Sequence, residues 1–446
     1  MARLVSTLCA VFCLASGVAQ AATLRLAWDR NPETDVTGYR VRYGTSSRSY
    51  TVTIDVGNRT DFAVPNLAQG VRYYIAVQAY NRAGVSSALS AEVNGVAVLD
   101  GSATAANILL GQGRFADQGG YFAVHGGQEF SFGSNAFARV PWPVYNATGG
   151  GVHLATGDVD GDGLDEVVVG LGRRSNGFVA VLDDAAHGYT LLRWIQVDWR
   201  AYTSSNGEVY PAVGNLDGDA REEIVLGLGD GGRGWYQIFD DASQNYRHLS
   251  WEQVNWPAYN AGHGPTHPAI GDFDGDGSSE IVLGLGRGAG GWLEIVNGAS
   301  SGFSHRGWIR IDWDAYASAN GATYPAAGDI DADGRAEIVI GLGSGSGGSF
   351  EVLDDADASF AHLRWERASW TAYNSFSGET HPAVGNVDGD AAAEIVLGLG
   401  EFLGNGGWFE IRDDRAHGYA SLGWRNIGWP SFTASGGALY PAISKR

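Results

Sequence analysis

The chain has 446 residues and a formal charge of −21 at pH 7, with 50 acidic residues against 29 Lys and Arg. This balance disfavours nucleic acid and anionic membranes as partners and is more typical of proteins that hold cations. The length exceeds that of one ordinary domain, so we expect at least two domains.

Residues 1–21 have the pattern of a secretory signal peptide. Arg3 precedes an apolar stretch that ends in the small-residue sequence "AQA", so we predict cleavage before Ala22. Both cysteines of the chain, Cys9 and Cys13, lie in this segment. The mature protein would then fold without disulfides, and we expect it to be secreted, extracellular or at the cell surface. No later segment is apolar and long enough to predict a membrane span.

Short alternating strands follow over residues 22–98, among them "GYRVRYG" and "RYYIAVQAY", and predict a small β-sandwich. Trp28 near the start, Leu67 and Gly70 before Tyr73, and "AYNRAG" after it resemble a fibronectin type III domain. The resemblance implies that Tyr73 is a buried corner tyrosine with its hydroxyl bonded to backbone. It also implies a spacer or binding module. Residues 99–107 are predicted to be a linker.

A repeat occupies the rest of the chain, residues 108–446. The glycines that open five acidic loops step by 57 residues (214 − 157), and five tryptophans step by the same period before a sixth follows after 59 (429 − 370). The glycines are Gly157, Gly214, Gly271, Gly328 and Gly385. The tryptophans are Trp142, Trp199, Trp256, Trp313, Trp370 and Trp429. A period of this size, made of strands and turns, indicates a propeller or solenoid.

Each repeat contains four short strands, as in "THPAIG", "EIVLGLG", "GWLEIVN" and "RGWIRIDW", and four antiparallel strands make one blade. The first repeat, from Ile108, lacks an acidic loop before it, and the last ends on "LYPAISKR", one strand into a blade. Pairing of the two fragments would remove a free sheet edge. We therefore predict an all-β protein: a fibronectin type III-like β-sandwich plus a six-bladed β-propeller closed by its N- and C-terminal strands.

The third acidic loop, "DFDGDGSSE", carries oxygens at positions 1, 3, 5 and 9, a backbone carbonyl at position 7 and glycine at position 6. This spacing surrounds a hard cation such as Ca²⁺ with oxygen, and without a cation the carboxylates would repel one another. The five loops, each followed by "GLG", resemble the FG-GAP (VCBS) repeats of integrin-α-type propellers. That resemblance implies structural Ca²⁺ in loops between strands.

Carried over to this chain, the resemblance implies up to five Ca²⁺ sites. Their ligands would be Asp158, Asp160, Asp162, Leu164 and Glu166; Asn215, Asp217, Asp219, Arg221 and Glu223; Asp272, Asp274, Asp276, Ser278 and Glu280; Asp329, Asp331, Asp333, Arg335 and Glu337; Asn386, Asp388, Asp390, Ala392 and Glu394. The residue at position 7 would contribute its carbonyl. Loops two and five have Asn at position 1 and Ala220 or Ala391 at position 6, so we expect weaker binding there.

Other recurring residues are explained more simply by packing. Ten aromatic residues occupy matching places in successive blades, which favours blade-to-blade packing over a ligand platform. They are Trp194, Trp251, Trp308, Trp365 and Trp424, with Tyr189, Tyr246, Phe303, Phe360 and Tyr419. The innermost strands begin with alternating histidine and tyrosine: His153, Tyr210, His267, Tyr324, His381 and Tyr440. Three histidines could converge on a transition metal, but rings that plug the channel are the favoured interpretation.

These features predict a non-enzymatic extracellular protein that acts in adhesion or as a subunit of a surface assembly or fibre. Its partners would be other copies of itself, or an extracellular protein or glycan. Apolar hairpin tips at Phe115, Phe402 and Leu403 are candidate contact surfaces. Carbohydrate recognition is an alternative. A polysaccharide-degrading or phosphate-ester-cleaving enzyme is disfavoured, because no carboxylate pair is evident outside the loops and the arginines look scattered.

Overall fold

The computed structural model describes residues 4–5, 21–28, 31, 33, 36–59, 61–68, 72–82, 85–90, 92–96, 98–99, 106–115, 118–127, 134–219, 221–262 and 264–445. Most of the predicted signal peptide, most of the linker, Gly70 and Ala220 lie outside these residues. The chain divides into two compact units, Met1–Ser102 and Ala103–Arg446. Within the described part, no helix has the length and apolar character needed to cross a membrane.

The first unit contains two four-stranded sheets. Its strands are β1 (Leu4–Val5), β2 (Ala21–Trp28), β3 (Val36–Gly44), β4 (Val52–Gly57), β5 (Asp61–Ala68), β6 (Arg72–Asn81), β7 (Val93–Val96) and β8 (Val98–Leu99). One sheet has the order β1-β2-β5 with β8 also paired to β2, and the other has the order β4-β3-β6-β7. Tyr39, Val41 and Val77 are fully buried in its core. Tyr73 is half-buried rather than buried, because it packs edge-on against Tyr43 at the margin of that core.

The second unit contains six four-stranded antiparallel sheets, which we call blades I to VI. Blade I consists of β9 (Asn107–Gln112), β10 (Tyr121–His125), β11 (Ser134–Arg139) and β32 (Leu439–Ser444). Blade II consists of β12 (Val152–Gly157), β13 (Glu166–Leu171), β14 (Phe178–Leu182) and β15 (Leu191–Gln196). Blade III consists of β16 (Val209–Gly214), β17 (Glu223–Leu228), β18 (Trp235–Phe239) and β19 (His248–Gln253). The order within each blade follows the chain, except that β32 precedes β9.

The remaining blades have the same plan. Blade IV consists of β20 (Thr266–Gly271), β21 (Glu280–Leu285), β22 (Trp292–Val296) and β23 (His305–Arg310). Blade V consists of β24 (Thr323–Gly328), β25 (Glu337–Leu342), β26 (Ser349–Leu353) and β27 (His362–Arg367). Blade VI consists of β28 (Thr380–Gly385), β29 (Glu394–Leu399), β30 (Trp408–Arg412) and β31 (Ser421–Asn426). These bounds confirm the four strands predicted for each repeat.

The inner strands β12, β16, β20, β24, β28 and β32 contact one another in succession, and β32 also contacts β12. β32 pairs with β9 in antiparallel register from Leu439–Gln112 to Ser444–Asn107, as the sequence predicts. The expectation of an all-β chain with a sandwich and a six-bladed propeller is thereby confirmed.

One helical turn per blade was not predicted. These turns link the outer strand of one blade to the inner strand of the next: α1 (Pro143–Asn146), α2 (Arg200–Ser205), α3 (Pro257–Asn260), α4 (Asp314–Ala319), α5 (Thr371–Phe376) and α6 (Pro430–Ser435). Each follows one of the periodic tryptophans, and three begin with proline, which suits a first helical position.

Neighbouring blades pack through the periodic aromatic residues. Trp256 meets Trp308 of the next blade edge-on with ring centroids 6.0 Å apart, and the Trp313–Trp365 pair repeats the contact at 5.8 Å. The packing interpretation of these residues is therefore confirmed. The first glycine of each "GLG" makes the close approach possible: a Cβ on Gly284 would lie 2.4 Å from Pro325 Cδ of the next inner strand.

Candidate metal centres

The five acidic loops connect the inner strand of blades II to VI to the second strand of the same blade. Position 9 of each loop is the first residue of that second strand. These residues are Glu166, Glu223, Glu280, Glu337 and Glu394. Four of the five glutamates have no exposed surface, and Glu280 is 5% exposed, so the fold carries five carboxyl groups into its interior.

Position 1 holds the turn together where it is aspartate. Asp158 Oδ1 accepts the N–H of Gly161 at 2.7 Å, and its Oδ2 accepts the N–H of Gly163 at 2.9 Å. Gly163 has φ +91°, a left-handed conformation in which L side chains are disfavoured. Loops three and four repeat the Oδ2 contact at 2.9 Å from Gly277 and Gly334. Gly277 and Gly334 have the same left-handed conformation, so glycine at position 6 permits the turn in all three loops.

The position 9 glutamates use one oxygen for the backbone. Their Oε2 atoms accept the N–H of the position 2 residue at 2.7–3.1 Å. In the described part of the chain, the Oε1 atoms of Glu166, Glu223, Glu337 and Glu394 are buried and have no hydrogen-bond partner. A buried acceptor without a partner is costly, and a second carboxylate nearby makes it costlier.

Burial is the main cause of a raised pKa in these groups, with the aspartates of the same loop adding repulsion. The pKa rises to about 8 for Glu166, Glu223 and Glu337, and to about 9 for Glu394. A divalent cation bound by oxygen would remove the repulsion and give each free Oε1 a partner. The donor set therefore fits Ca²⁺ in these four loops.

Asparagine changes the turn in loops two and five. Asn215 Nδ2 donates to the carbonyl of Asp219 at 2.6 Å, and Asn386 makes the same contact with Asp390. The amide thus holds the turn with an N–H where aspartate offers a second anionic oxygen. These loops have one carboxylate fewer, and the weaker binding expected of them stays a prediction.

The fourth blade differs from the others. Arg306 from β23 donates through Nη1 to Asp274 Oδ2 at 2.8 Å and lies 3.4 Å from Glu280 Oε1. Burial still raises the pKa of Glu280, but only to about 7. A guanidinium group thus offsets part of the negative charge of the third acidic loop.

A second set of aspartates was missed by the sequence reasoning, which saw no carboxylate pair outside the loops. Asp183 and Asp184 follow the third strand of blade II, and carboxylate oxygens of Glu166, Asp183 and Asp184 lie within 4.8 Å of one another. Asp184 also accepts the N–H groups of Ala186 and His187, so it shapes its own turn. A signal was present, because "DD" recurs at Asp240–Asp241, Asp354–Asp355 and Asp413–Asp414. Blade IV has Asn297 and Gly298 there instead.

The alternating histidines and tyrosines of the inner strands form a continuous ring of side chains. Neighbouring rings contact each other all the way around, with centroids 4.2–4.7 Å apart. His153 lies 3.4 Å from Glu208, and His381 lies 3.0 Å from Glu379. His267 Nδ1 donates to the carbonyl of Thr323 at 3.0 Å, and burial lowers its pKa to about 4. This arrangement favours rings that fill the channel over three imidazoles joined at one metal.

The apolar hairpin tips are less exposed than expected. Phe115 packs edge-on against Trp429 and Phe432 with centroids 5.6 Å apart, and Phe402 packs against Trp370 at 5.4 Å. Both phenylalanines are half-buried, because the hairpins that carry them fold back onto the aromatic residues of the blades. Leu403 is 76% exposed, as predicted.

Comparison with known proteins identifies the first domain. The fibronectin type III domain model matches residues 15–96 and therefore begins inside the segment predicted to be a signal peptide. No curated protein matches the chain.

Solved structures show distant similarity. A rhamnogalacturonan lyase of Bacillus licheniformis is 15% identical with a TM-score of 0.36, over 90% of this chain and 66% of the lyase, just under two thirds. The Dos1 propeller is 9% identical with a TM-score of 0.36, over 74% of this chain and 72% of that one. A leech intramolecular trans-sialidase is 10% identical with a TM-score of 0.37, over 93% of this chain and 88% of that one. The N-terminal region thus carries a fibronectin type III domain, and a β-propeller of six sheets follows it.

Proposed function

We propose that the protein is a secreted, non-enzymatic calcium-binding β-propeller protein that acts in extracellular adhesion or as a subunit of a cell-surface assembly. Ca²⁺ ions in the acidic loops fasten the turn between the first two strands of a blade. A fibronectin type III domain is typical of extracellular proteins and supports the same location.

The observation that carries the calcium role is the set of four buried glutamate oxygens without partners. Each points to a loop that already holds two or three further carboxylates. Asp183 and Asp184, with their counterparts in blades III, V and VI, add charge from a second loop. We propose that blade II binds Ca²⁺ most tightly, since it combines aspartate at position 1 with the extra pair. Blade V has the same acidic groups, but Arg415 already pairs with its Asp331 and Asp354. Blade IV binds most weakly, because Arg306 replaces much of the cation's charge.

The contact role is supported by two exposed apolar side chains. Phe376 is 60% exposed and its ring lies 5.3 Å from that of Phe402, next to the exposed Leu403. Exposed apolar groups of this kind favour contact with a protein, including another copy of the chain. Carbohydrate recognition through stacked tryptophans gains no such support, because those rings are engaged between blades.

Calcium titration of the chelated protein tests the first part of the proposal. Isothermal titration calorimetry should give four sites or fewer with a clear spread of affinities, and each bound ion should raise the melting temperature. A protein whose melting temperature is the same in calcium and in chelator would refute the structural role. Electron microscopy in calcium then tests the second part: fibres or ordered clusters support assembly, and single particles at high concentration exclude it.

A further inference from the structure

A large cavity lies at the opposite end of the inner strands from the acidic loops. Its volume is about 840 Å³, and its lining includes His153 and Tyr440 from the starts of two inner strands. The acidic loops follow the ends of those strands, after residues such as Gly157. The cavity is therefore a separate feature from the candidate calcium loops, and it is large enough for an oligosaccharide segment.

Four arginines line this cavity, although they look scattered in the sequence. Arg114, Arg173, Arg174 and Arg233 come from the hairpins between the second and third strands of blades I, II and III. In a chain with a net charge of −21, such a convergence of cations stands out. The blade geometry, which places equivalent hairpins side by side, brings them together.

Most of this positive charge is available for a ligand. Arg173 is held 3.5 Å from Glu208 and 3.4 Å from Asp230. Among the residues that the structure describes, the guanidinium groups of Arg114, Arg174 and Arg233 have no hydrogen-bond or ion-pair partner.

Two of these arginines have left-handed backbone conformations at positions where several other blades use glycine. Arg174 has φ +71°, and its counterparts are Gly231, Gly288 and Gly345. Arg233 has φ +53°; its counterparts are Gly290 and Gly347 in blades IV and V, and Asn176 with φ +56° in blade II. An L side chain is disfavoured in this conformation, and neither guanidinium group has a described partner that would offset the cost.

The rest of the lining indicates what kind of anion fits. Glu208, Asp230 and Glu401 offer carboxylate acceptors for hydroxyl groups, and Ser205 and Asn206 offer neutral polar groups. These carboxylates would repel a densely charged phosphate ligand. The lining suits a saccharide ligand that has many hydroxyl groups and only one negative charge on each sugar unit. An arginine fork matches the two oxygens of a planar carboxylate with two parallel hydrogen bonds.

We propose that this cavity binds a polysaccharide that contains uronic acid, with Arg174 and Arg233 holding its carboxylates and the acidic residues accepting from its hydroxyls. This site lies apart from the calcium loops and gives the extracellular protein a glycan partner. The aromatic rings between blades take no part in it.

The test compares two tetrasaccharides by calorimetry in calcium-containing buffer. One is β-1,4-linked tetraglucuronate, and the other is cellotetraose, which has CH₂OH in place of each carboxylate. We expect saturable binding of the first at least tenfold tighter than of the second, weakened by added NaCl. Equal affinity for both, or no binding of either, would overturn the proposal. Competition by inorganic phosphate at the same concentration as the uronate would also overturn it.

Glycine substitutions locate the site without disturbing the fold. The double variant Arg174→Gly and Arg233→Gly restores the residue that equivalent hairpins carry, so its melting temperature should be kept. We expect its affinity for tetraglucuronate to fall tenfold or more. Arg193→Gln, an exposed arginine on β15 outside the cavity lining, is the control and should bind as the parent does. Unchanged affinity in the double variant would place the binding elsewhere. Calcium stabilisation measured on the same samples separates this outcome from failure of the proposed calcium role.

Discussion

Arg306 donates a hydrogen bond of 2.8 Å to Asp274 in the acidic loop of blade IV, and it lies 3.4 Å from Glu280. The chain thus supplies its own cation to this loop, as Arg415 also does for Asp331 in the loop of blade V. The same blade lacks the aspartate pair that the four others carry after their third strand. Loss of acidic groups and gain of an arginine both lower the need for Ca²⁺ in this blade.

Arg306→Gln should make blade IV depend on calcium. Without the guanidinium, Asp274 and Glu280 lose their partner, and we expect the chelated variant to be less stable than the parent by about 1–3 kcal/mol. Calcium should recover most of this loss, because the ion can occupy the vacated position. Urea unfolding in chelator and in calcium measures both effects.

Arg310→Gln serves as the control for that experiment. Arg310 pairs with the exposed Asp314 at 2.8 Å, away from the loop, and surface pairs of this type contribute little. If Arg306→Gln and Arg310→Gln behave alike in chelator and in calcium, then Arg306 does not stand in for a cation.

Glu166→Gln should change stability in opposite directions with and without calcium. In chelator the substitution removes a buried charge whose Oε1 has no described partner, so the free energy of unfolding should rise at pH 8. In calcium it removes a ligand, so the affinity of that loop should fall roughly tenfold or more. Thermal melts in chelator and in calcium measure the change in stability, and calorimetry measures the change in calcium affinity. A change of stability in the same direction under both conditions would contradict the cation role.

The stability of the chelated protein should decline as the pH rises. An unfolded glutamate titrates near its ordinary pKa of 4.5, whereas Glu166, Glu223 and Glu337 titrate at about 8 in the fold. The folded state therefore binds more protons between these values, and stability is lost over that window. Saturating calcium should flatten the dependence, because it keeps these carboxylates ionised in the fold. Melting temperatures at pH 5, 6, 7 and 8 measure it; a flat profile in chelator would count against the buried anions.

Gly284→Ala should weaken the contact between blades IV and V. The added Cβ would lie 2.4 Å from both Pro325 Cδ and the carbonyl of Thr323, so the blades must separate locally at a cost of about 1–3 kcal/mol. Gly307→Ala is the matched control, since nothing lies within 4 Å of its Cβ position. Equal unfolding midpoints for the two variants in urea would disprove the close-packing role.

Tyr316→Phe should destabilise the joint between the same two blades. The hydroxyl donates to the carbonyl of Ala322 at 2.7 Å and accepts the N–H of Gly343 at 2.6 Å. Loss of both contacts leaves the Gly343 N–H and the Ala322 carbonyl with only their own long hydrogen bond of 3.4 Å, and we expect a cost of about 1–3 kcal/mol. Faster amide exchange at Gly343 would show that the loss is local, and unchanged exchange would argue against this contact.

The period of the sequence was sufficient to predict the blades, because every repeat places apolar strands and glycines at the same spacing. "EIVLGL" is fully buried wherever it occurs, so its continuous apolar character is a reliable strand signal. The helical turns were missed, since four to six residues after a tryptophan carry no helical periodicity.

The candidate site was predicted only in part, because ligands within one loop are close in sequence and those from elsewhere are not. Arg306 lies on another strand of the blade, and Asp183 lies on another loop, so neither enters a motif that is read along the chain. The four arginines of the cavity likewise come from three different repeats. Only the alignment of equivalent hairpins in space shows that Arg174 and Arg233 line the same cavity.

The pairing of β9 with β32 also means that blade I can complete its folding only after the end of the chain has been synthesised. A ribosome that adds about 5–20 residues per second needs tens of seconds, on the order of magnitude, to pass from one strand to the other. Until β32 arrives, β9 presents an unpaired edge, while the five later blades already have all their strands. A neighbouring chain can offer the same strand with the same hydrogen bonds. Refolding at high protein concentration should therefore yield strand-exchanged dimers, and refolding at high dilution should yield monomers.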